Sequence, residues 1–447
     1  MTVYIGCGAG FAGDRFDAAA AIIAELASRD APKYLMFECL AERTLASAQL
    51  EKLKDPSKGY SPFLDQYFSR HLGAAMSAGV KIVSNLGAAH PIAGAQRVRE
   101  IAAEQGLKPP RVAVVMGDDL SETMSEVEIR DLPLMDGQDV IHRTMRAANV
   151  YLGAEPVAEA AATGADVILV GRTTDSALAL GPLMHEYGWT DLDRLAAGTI
   201  TGHLLECGAQ VSGAYFADPG KKDVPDLARV GFPIAEVQED GSFVITKPKG
   251  TGGLVDRATV TEQLLYEMHD PAAYLVPEAS CDVTGLTLSD DGENRIRVGG
   301  VKGHARPEKL KATVSVDFGW MAEAEISYAG IGALARTQLA GEIVETRMRE
   351  AGVTEEIAFD IIGGGATFGR GAKQFVNDAG DGDYRLRLSI ITDDKATAQL
   401  LNDELYHLYC SGPSAGGGIR NALIPQMATA SVMVPRDLVS PRIEVIE

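Results

Sequence analysis

Little in this sequence is cationic, and nothing in it is both long and apolar. Forty-one lysines and arginines stand against sixty-two aspartates and glutamates, a net charge of −21, which repels nucleic acid and anionic lipid unless a local basic patch intervenes. No such patch is found. The longest apolar stretches, such as 167–171 and 177–183, fall well short of the roughly 20 residues of a membrane span, and the N-terminus lacks a basic leader segment. Nucleic-acid and membrane partners are excluded, and a cytoplasmic enzyme or binding protein is expected. Cysteine is scarce: Cys7, Cys39, Cys207, Cys281 and Cys410 are scattered, odd in number and without a C-x-x-C pair. That pattern argues against a disulfide framework and a structural zinc. Each behaves as a small hydrophobe if buried, although Cys7, Cys39 and Cys207 fall inside candidate sites. Also absent are G-x-x-x-x-G-K-[ST], H-E-x-x-H and G-x-S-x-G. His90, His203 and His304 are too scattered for a zinc site, while Mg²⁺ held by Asp118, Asp119 or Asp175 stays open.

What is present is enough for a large core. Apolar residues make up 46% of 447 positions, so burial is not limiting and two or three domains are expected. Up to about residue 215 short apolar runs alternate with longer helical stretches: 3–5, 34–37, 80–83, 112–116 and 167–170. Because these runs are continuous rather than alternating, they predict strands buried on both faces, hence a parallel sheet covered by helices. The stretch 135–153 reads as a connector with a short helix. From about 218, turn signals and alternating runs predict antiparallel strands with a solvated face. The last third reads as strand, helix, strand, strand, helix, an α+β region of ferredoxin-like character. We therefore expect an α/β fold with a mostly parallel layered domain over 1–217 and a smaller α+β domain over 218–447.

In parallel sheets ligands bind beyond the carboxyl ends of the strands, and polar residues gather there. After the first run come Gly6, Gly8, Gly10 and Gly13 with Asp14 and Arg15; after the second, Glu38-Cys39-Leu40-Ala41-Glu42-Arg43-Thr44; after the third, Asn85 and His90. After the fourth lie Asp118 and Asp119, and after the fifth Arg172-Thr173-Thr174-Asp175-Ser176. Asp118 and Ser176 are equally well read as helix caps. Gly8-Ala9-Gly10-Phe11-Ala12-Gly13 fits G-x-G-x-x-G, but two residues separate the strand from its first glycine, and Asp14 is a poor neighbour for a pyrophosphate; no redox cofactor is predicted. Further on, His203, Glu206, Cys207 and Gln210 are spaced i, i+3, i+4 and i+7, one face of a helix that looks either to water or to a reacting centre. Two glycine-rich loops, 247–253 and 412–418, and the cluster 363–365 either approach a ligand or simply turn the chain.

Taken together, Ile5-Gly6-Cys7-Gly8-Ala9-Gly10-Phe11-Ala12-Gly13-Asp14-Arg15, Phe37-Glu38-Cys39-Leu40-Ala41-Glu42-Arg43-Thr44, Ser84-Asn85-Leu86-Gly87-Ala88, Gly171-Arg172-Thr173-Thr174-Asp175, His203-Leu204-Leu205-Glu206-Cys207 and Ser411-Gly412-Pro413 make a set. In these motifs the chain resembles the acyclic terpene utilisation protein AtuA family over nearly its whole length. The resemblance implies bacterial catabolism of branched carboxylic acids and terpenoids, often beside CoA-ester chemistry. Longer members append a small ferredoxin-like domain, so a separate small subunit and a hetero-oligomer are expected here.

The residues and the resemblance point to lyase chemistry on a small branched or unsaturated carboxylate or its CoA ester, adding or removing water. Such a reaction needs an anion clamp, a base and an acid. Arg43 and Arg172 are the expected carboxylate clamps and the amides of 8–13 a second anion anchor, with Gly8, Gly10, Asp14, Arg15, Asn85, Thr173 and Asp175 beside the substrate. Glu38, Glu206 and His203 are the acid–base candidates, with Cys207 a further one. Alternatives are a C–C lyase on a 3-hydroxyacyl-CoA, a nicotinamide oxidoreductase, and a non-catalytic subunit that scaffolds a small partner.

Overall fold

The five apolar runs become the centre of one large sheet. In the computed structural model, which describes residues 1–363 and 382–447, the first strands are β1 (Thr2–Cys7), β2 (Lys33–Phe37), β3 (Lys81–Ser84) and β4 (Val112–Met116). Two more, β5 (Leu134–Asp136) and β6 (Met145–Val150), occupy the stretch expected to be a connector with a short helix, and β7 (Val167–Val170) follows. β1, β2, β3, β7 and β4 lie side by side in that order, all parallel. Leu35, Phe37, Ile82, Val114 and Leu169 share one core with Ile22, Phe68, Leu72 and Val98 of the helices Ala18–Ala27, Leu64–Ala78 and Pro91–Glu104. The alternate residues Tyr34, Met36, Val83, Ile168 and Val170 are equally buried, and the helices Ala177–Tyr187 and Leu192–Glu206 pack against β1. Two-sided burial is what a continuous run of apolar side chains serves in a structure with a two-residue period. Each fully buried large side chain contributes about 1.5–3 kcal/mol.

Antiparallel strands extend this sheet at both edges. β8 (Ile234–Gln238) pairs with β1, and β9 (Phe243–Thr246) with β8. After β10 (Tyr274–Leu275) and β11 (Ser280–Asp282), strands β12 (Thr287–Asp290) and β13 (Ile296–Gly299) complete that edge. β14 (Lys302–His304) joins β10 and β11 in a small sheet of its own. Next come β15 (Lys309–Gly330), β16 (Ile357–Ile362), β17 (Gly382–Thr392), β18 (Gly417–Pro435) and β19 (Arg442–Ile446). β19 returns to pair antiparallel with β4 at the other edge of the large sheet.

The chain divides into two compact units, Met1–Ser315 with Thr429–Glu447, and Val316–Ala428. Residues 218–315 therefore fold with the N-terminal part rather than with the C-terminal one, because β8 completes the hydrogen bonds that β1 would otherwise leave open at an edge. In the second unit β17 pairs antiparallel with both Trp320–Gly330 of β15 and β16. Ile326, Leu386 and Leu388 of these strands share a core with Val344, Met348, Leu401 and Leu405 of the helices Ala333–Glu350 and Lys395–Ser411. Of the cluster 363–365, Gly364 and Gly365 lie outside the described residues. Among the described residues no helix is long and apolar enough to cross a membrane.

Candidate active site

Beyond the carboxyl ends of β1, β2 and β7 lies a cavity of about 990 Å³ whose walls all belong to the first unit. Glu38, Arg43, Arg172, Asp175, Glu206 and Cys207 line it, with Gly10 and Asp14. Turns more than a hundred residues apart in the chain thus share one space.

In the glycine-rich turn after β1, two of the amides expected as an anion anchor are bonded within the protein. Gly8 N donates to Met36 O at 2.8 Å and Gly10 N to the Asp14 carboxylate at 2.9 Å, so neither amide is free for a ligand. Their glycines serve packing instead. A Cβ on Gly8 would meet Phe37 at 2.7 Å, and one on Gly10 would meet the Cys207 backbone at 2.3 Å. Gly10 is what lets this turn touch the end of the helix that carries Glu206. Arg15 does not line the cavity; it pairs with Asp17 at 2.8 Å and donates to Val230 O at 3.2 Å.

Glu38 is fixed at the end of β2 by two donors to one oxygen, Leu40 N and Asn85 Nδ2, each at 2.9 Å. Asn85 also accepts from Cys39 N at 2.8 Å, so it holds Glu38 from behind without lining the cavity. Burial raises the Glu38 pKa above the ordinary carboxylate range despite those donors and Arg172, and Glu206 adds to the rise. Arg172 is buried, with its guanidinium 4.0 Å above the Tyr151 ring and Nη1 donating to Leu40 O. Its Nε has no partner. Asp175 Oδ1 lies 3.6 Å from Nη1, too far for a hydrogen bond. Although a third of the Asp175 side chain is reachable through the cavity, its burial among protein atoms and then the Glu38 charge push its pKa well up. Thr173 is fully buried behind this turn, where its backbone bridges to Leu152.

Glu206 ends its helix, Cys207 caps it, and Gln210 sits in the following 3₁₀ turn, so the polar stripe breaks after one helical turn. His203 is buried and does not line the cavity. Its Nε2 lies 3.1 Å from Leu264 O, an acceptor only, so Nε2 carries a proton. Its Nδ1 lies 3.0 Å from Glu206 Oε1, a contact that needs a second proton shared between the two. Burial lowers the His203 pKa, but the Glu206 charge and hydrogen bond overcome it and leave the pKa raised. Burial, and next to it Glu206, pushes the Cys207 thiol up to about 12, so a thiolate nucleophile is not at hand at neutral pH.

Several cavity residues were not singled out from sequence. Tyr151 follows β6 in the presumed connector; it donates to Glu42, and Lys311 stands 5.0 Å from its ring. Tyr274 packs against His203 with ring centroids 5.2 Å apart, and Glu267 is held at φ 57°. Neither tyrosine has a signal in the local sequence: Asn149 interrupts the apolar residues ahead of Tyr151, and Tyr274 is brought in by β10 from a turn-rich region. Asp118 and Asp119 line a different cavity, of about 460 Å³, that does not include Asp175. The three carboxylates weighed for Mg²⁺ therefore do not converge, and among the described residues no three His, Cys, Asp or Glu side chains are placed to hold a metal.

Neither the curated proteins nor the solved structures compared with this chain give a significant match. A family profile described as acyclic terpene utilisation family protein AtuA matches residues 3–445. The chain belongs to the AtuA family.

Proposed function

We propose that the cavity is the active site of a hydro-lyase acting on a small branched or unsaturated carboxylate, free or as a thioester. The observation that carries this reading is the 3.0 Å His203–Glu206 pair at the wall of a cavity that also holds two carboxyls with raised pKa values. Carboxyl groups in one cavity, one oriented by a protonated imidazole and two driven toward the neutral form, divide into base and acid by environment alone. In the dehydration direction Glu206 removes the proton alpha to the carbonyl. The C–H electron pair becomes the alkene, the C–O bond breaks, and Asp175 or Glu38 gives the leaving hydroxide the proton that makes it water. The Arg172 guanidinium faces the charge that builds on the carbonyl oxygen.

His203 does not touch the substrate in this scheme; it positions Glu206. The family's terpene-utilisation description fits branched acyclic acids. In the second unit the strand order β16-β17-β15-β18, with one helix after β15 and one after β17, supports a ferredoxin-like reading. A small partner of similar fold, and work in the cytoplasm, belong to the same proposal. The C–C lyase alternative would need a base placed on a β-hydroxyl, and no observation favours it.

The test is a screen of purified protein against branched unsaturated acids, β-hydroxy acids and their thioesters, following alkene absorbance. Once a substrate is found, Glu206→Gln should lower kcat by about 10²–10⁴-fold, the usual worth of a general base. His203→Gln should lower kcat less and shift the basic limb of its pH profile. Unchanged turnover in Glu206→Gln would remove that residue from the chemistry.

A further inference from the structure

The cavity wall carries two cations that form no ion pair among the described residues, although carboxylates, Glu42 among them, line the same space. Arg43 and Lys309 both line it, and among the described residues neither side chain has an ion pair or hydrogen-bond partner. In a chain of net charge −21, acids to pair them are plentiful, so two bare cations at one opening need a reason.

One of them stands in the first turn of the helix Glu42–Lys54. Arg43 is its second residue, and Lys309 shares a strand face with Lys311, whose Nζ lies 3.7 Å from Glu42. The residue before the helix is Ala41, which has no side-chain acceptor, and the first amide paired within the helix is Leu45 N. The Glu42 carboxylate stands in the same first turn and meets part of the field of the helix start, leaving the Arg43 side chain itself as the unpaired charge there. Deeper in the same cavity Arg172, only 3% exposed, keeps Nε unpartnered. Cationic side chains with an unused donor therefore occur both in the depth of the cavity, at Arg172 Nε, and in its wall, at Arg43 and Lys309, and Tyr151 lies against both Arg172 and Lys311. The volume, about 990 Å³, is at the top of the range of roughly 300–1,000 Å³ that holds drug-sized ligands, and leaves room for a molecule that reaches both ends.

We infer that the substrate carries two anionic groups. One sits inside on Arg172 next to the reacting carbon, and the other is an oxyanion, carboxylate or phosphate, gripped at the mouth by Arg43 and Lys309. This rests on reading the cavity as the active site, but its test does not need turnover.

Calorimetric titration of the full chain would compare hexanoate, adipate and phosphorylated hydroxyhexanoate. At least one of the two doubly anionic probes should bind about tenfold more tightly than hexanoate, as one charge-assisted hydrogen-bonded contact warrants. Preference for adipate assigns a carboxylate to the mouth, and preference for the phosphorylated probe a phosphate. Arg43→Gln and Lys309→Gln, both changes of accessible side chains, should each erase most of that advantage while leaving hexanoate binding alone. Lys54→Gln, which removes an exposed charge from the far end of the same helix, should leave it intact. Equal binding of all three probes, or an advantage that survives both substitutions, overturns the inference. Tight binding of a doubly anionic probe without any lyase turnover in the screen would instead overturn the proposed reaction and keep this subsite.

Discussion

Asp118 lies outside the proposed active site, yet it governs the turn that holds Arg172. Its Oδ2 accepts from Arg172 N at 3.0 Å and from Asn149 Nδ2 at 2.9 Å. Burial outweighs these donors and raises its pKa from 3.8 to about 6. The native state therefore keeps a proton that the unfolded chain has already released between those values. Its contribution to stability is fully present below about pH 4 and is lost as pH rises through about 6, a change of about 3 kcal/mol. Asp118→Asn, which retains an acceptor oxygen for Arg172 N, should remove that slope. Urea unfolding of both proteins across this range checks it: the stability difference should change between pH 4 and 6 and stay level above, and parallel curves would assign the titration elsewhere. Of the site's individual side chains, those at strand ends were legible because position after an apolar run predicts the rim of a parallel sheet. His203 and Asn85 sit one layer behind that rim, and spacing alone cannot separate a residue that touches a ligand from one that orients its neighbour.

At the scale of elements, the contact that assembles the site is a loop against a helix end. Gly10 meets the backbone of Cys207 and Gly208 so closely that a Cβ there would lie 2.3 and 2.5 Å from main-chain atoms. No side-chain rotation can relieve that clash. Gly10→Ala should cost about 1–3 kcal/mol, the range for overpacking, read as a lower urea midpoint, and should move Glu206 enough to depress turnover further than stability alone explains. A wild-type midpoint would show that the helix end can retreat freely. The parallel strands were legible because burial on both faces demands unbroken apolar runs. β5 and β6 were not: β6 pairs with β15, more than a hundred and fifty residues later, and local pattern carries no trace of so distant a partner.

At the scale of the whole molecule, the first unit is closed by β19, more than three hundred residues after the strand it covers. β19 covers the outer edge of β4, and Ser440 and Pro441 pack on Gly117. Removal of residues 440–447 should leave β4 as a bare apolar edge and promote self-association, measurable by light scattering at equal concentration; a monodisperse, equally stable product would show that β19 is dispensable. This closure also explains why a boundary near 217 misled. The change from continuous to alternating hydrophobicity marks where parallel strands give way to antiparallel ones, and here that change occurs inside one sheet. Composition records which face of a strand is wet, not which sheet the strand joins.

Because Met433 stands in the cavity wall and β19 in the main sheet, the ribosome must deliver the chain as far as residue 446 before the pocket has its full lining and the sheet its edge. A product terminated before β19 would display an unpaired edge on β4, and one terminated before Met433 an incomplete cleft.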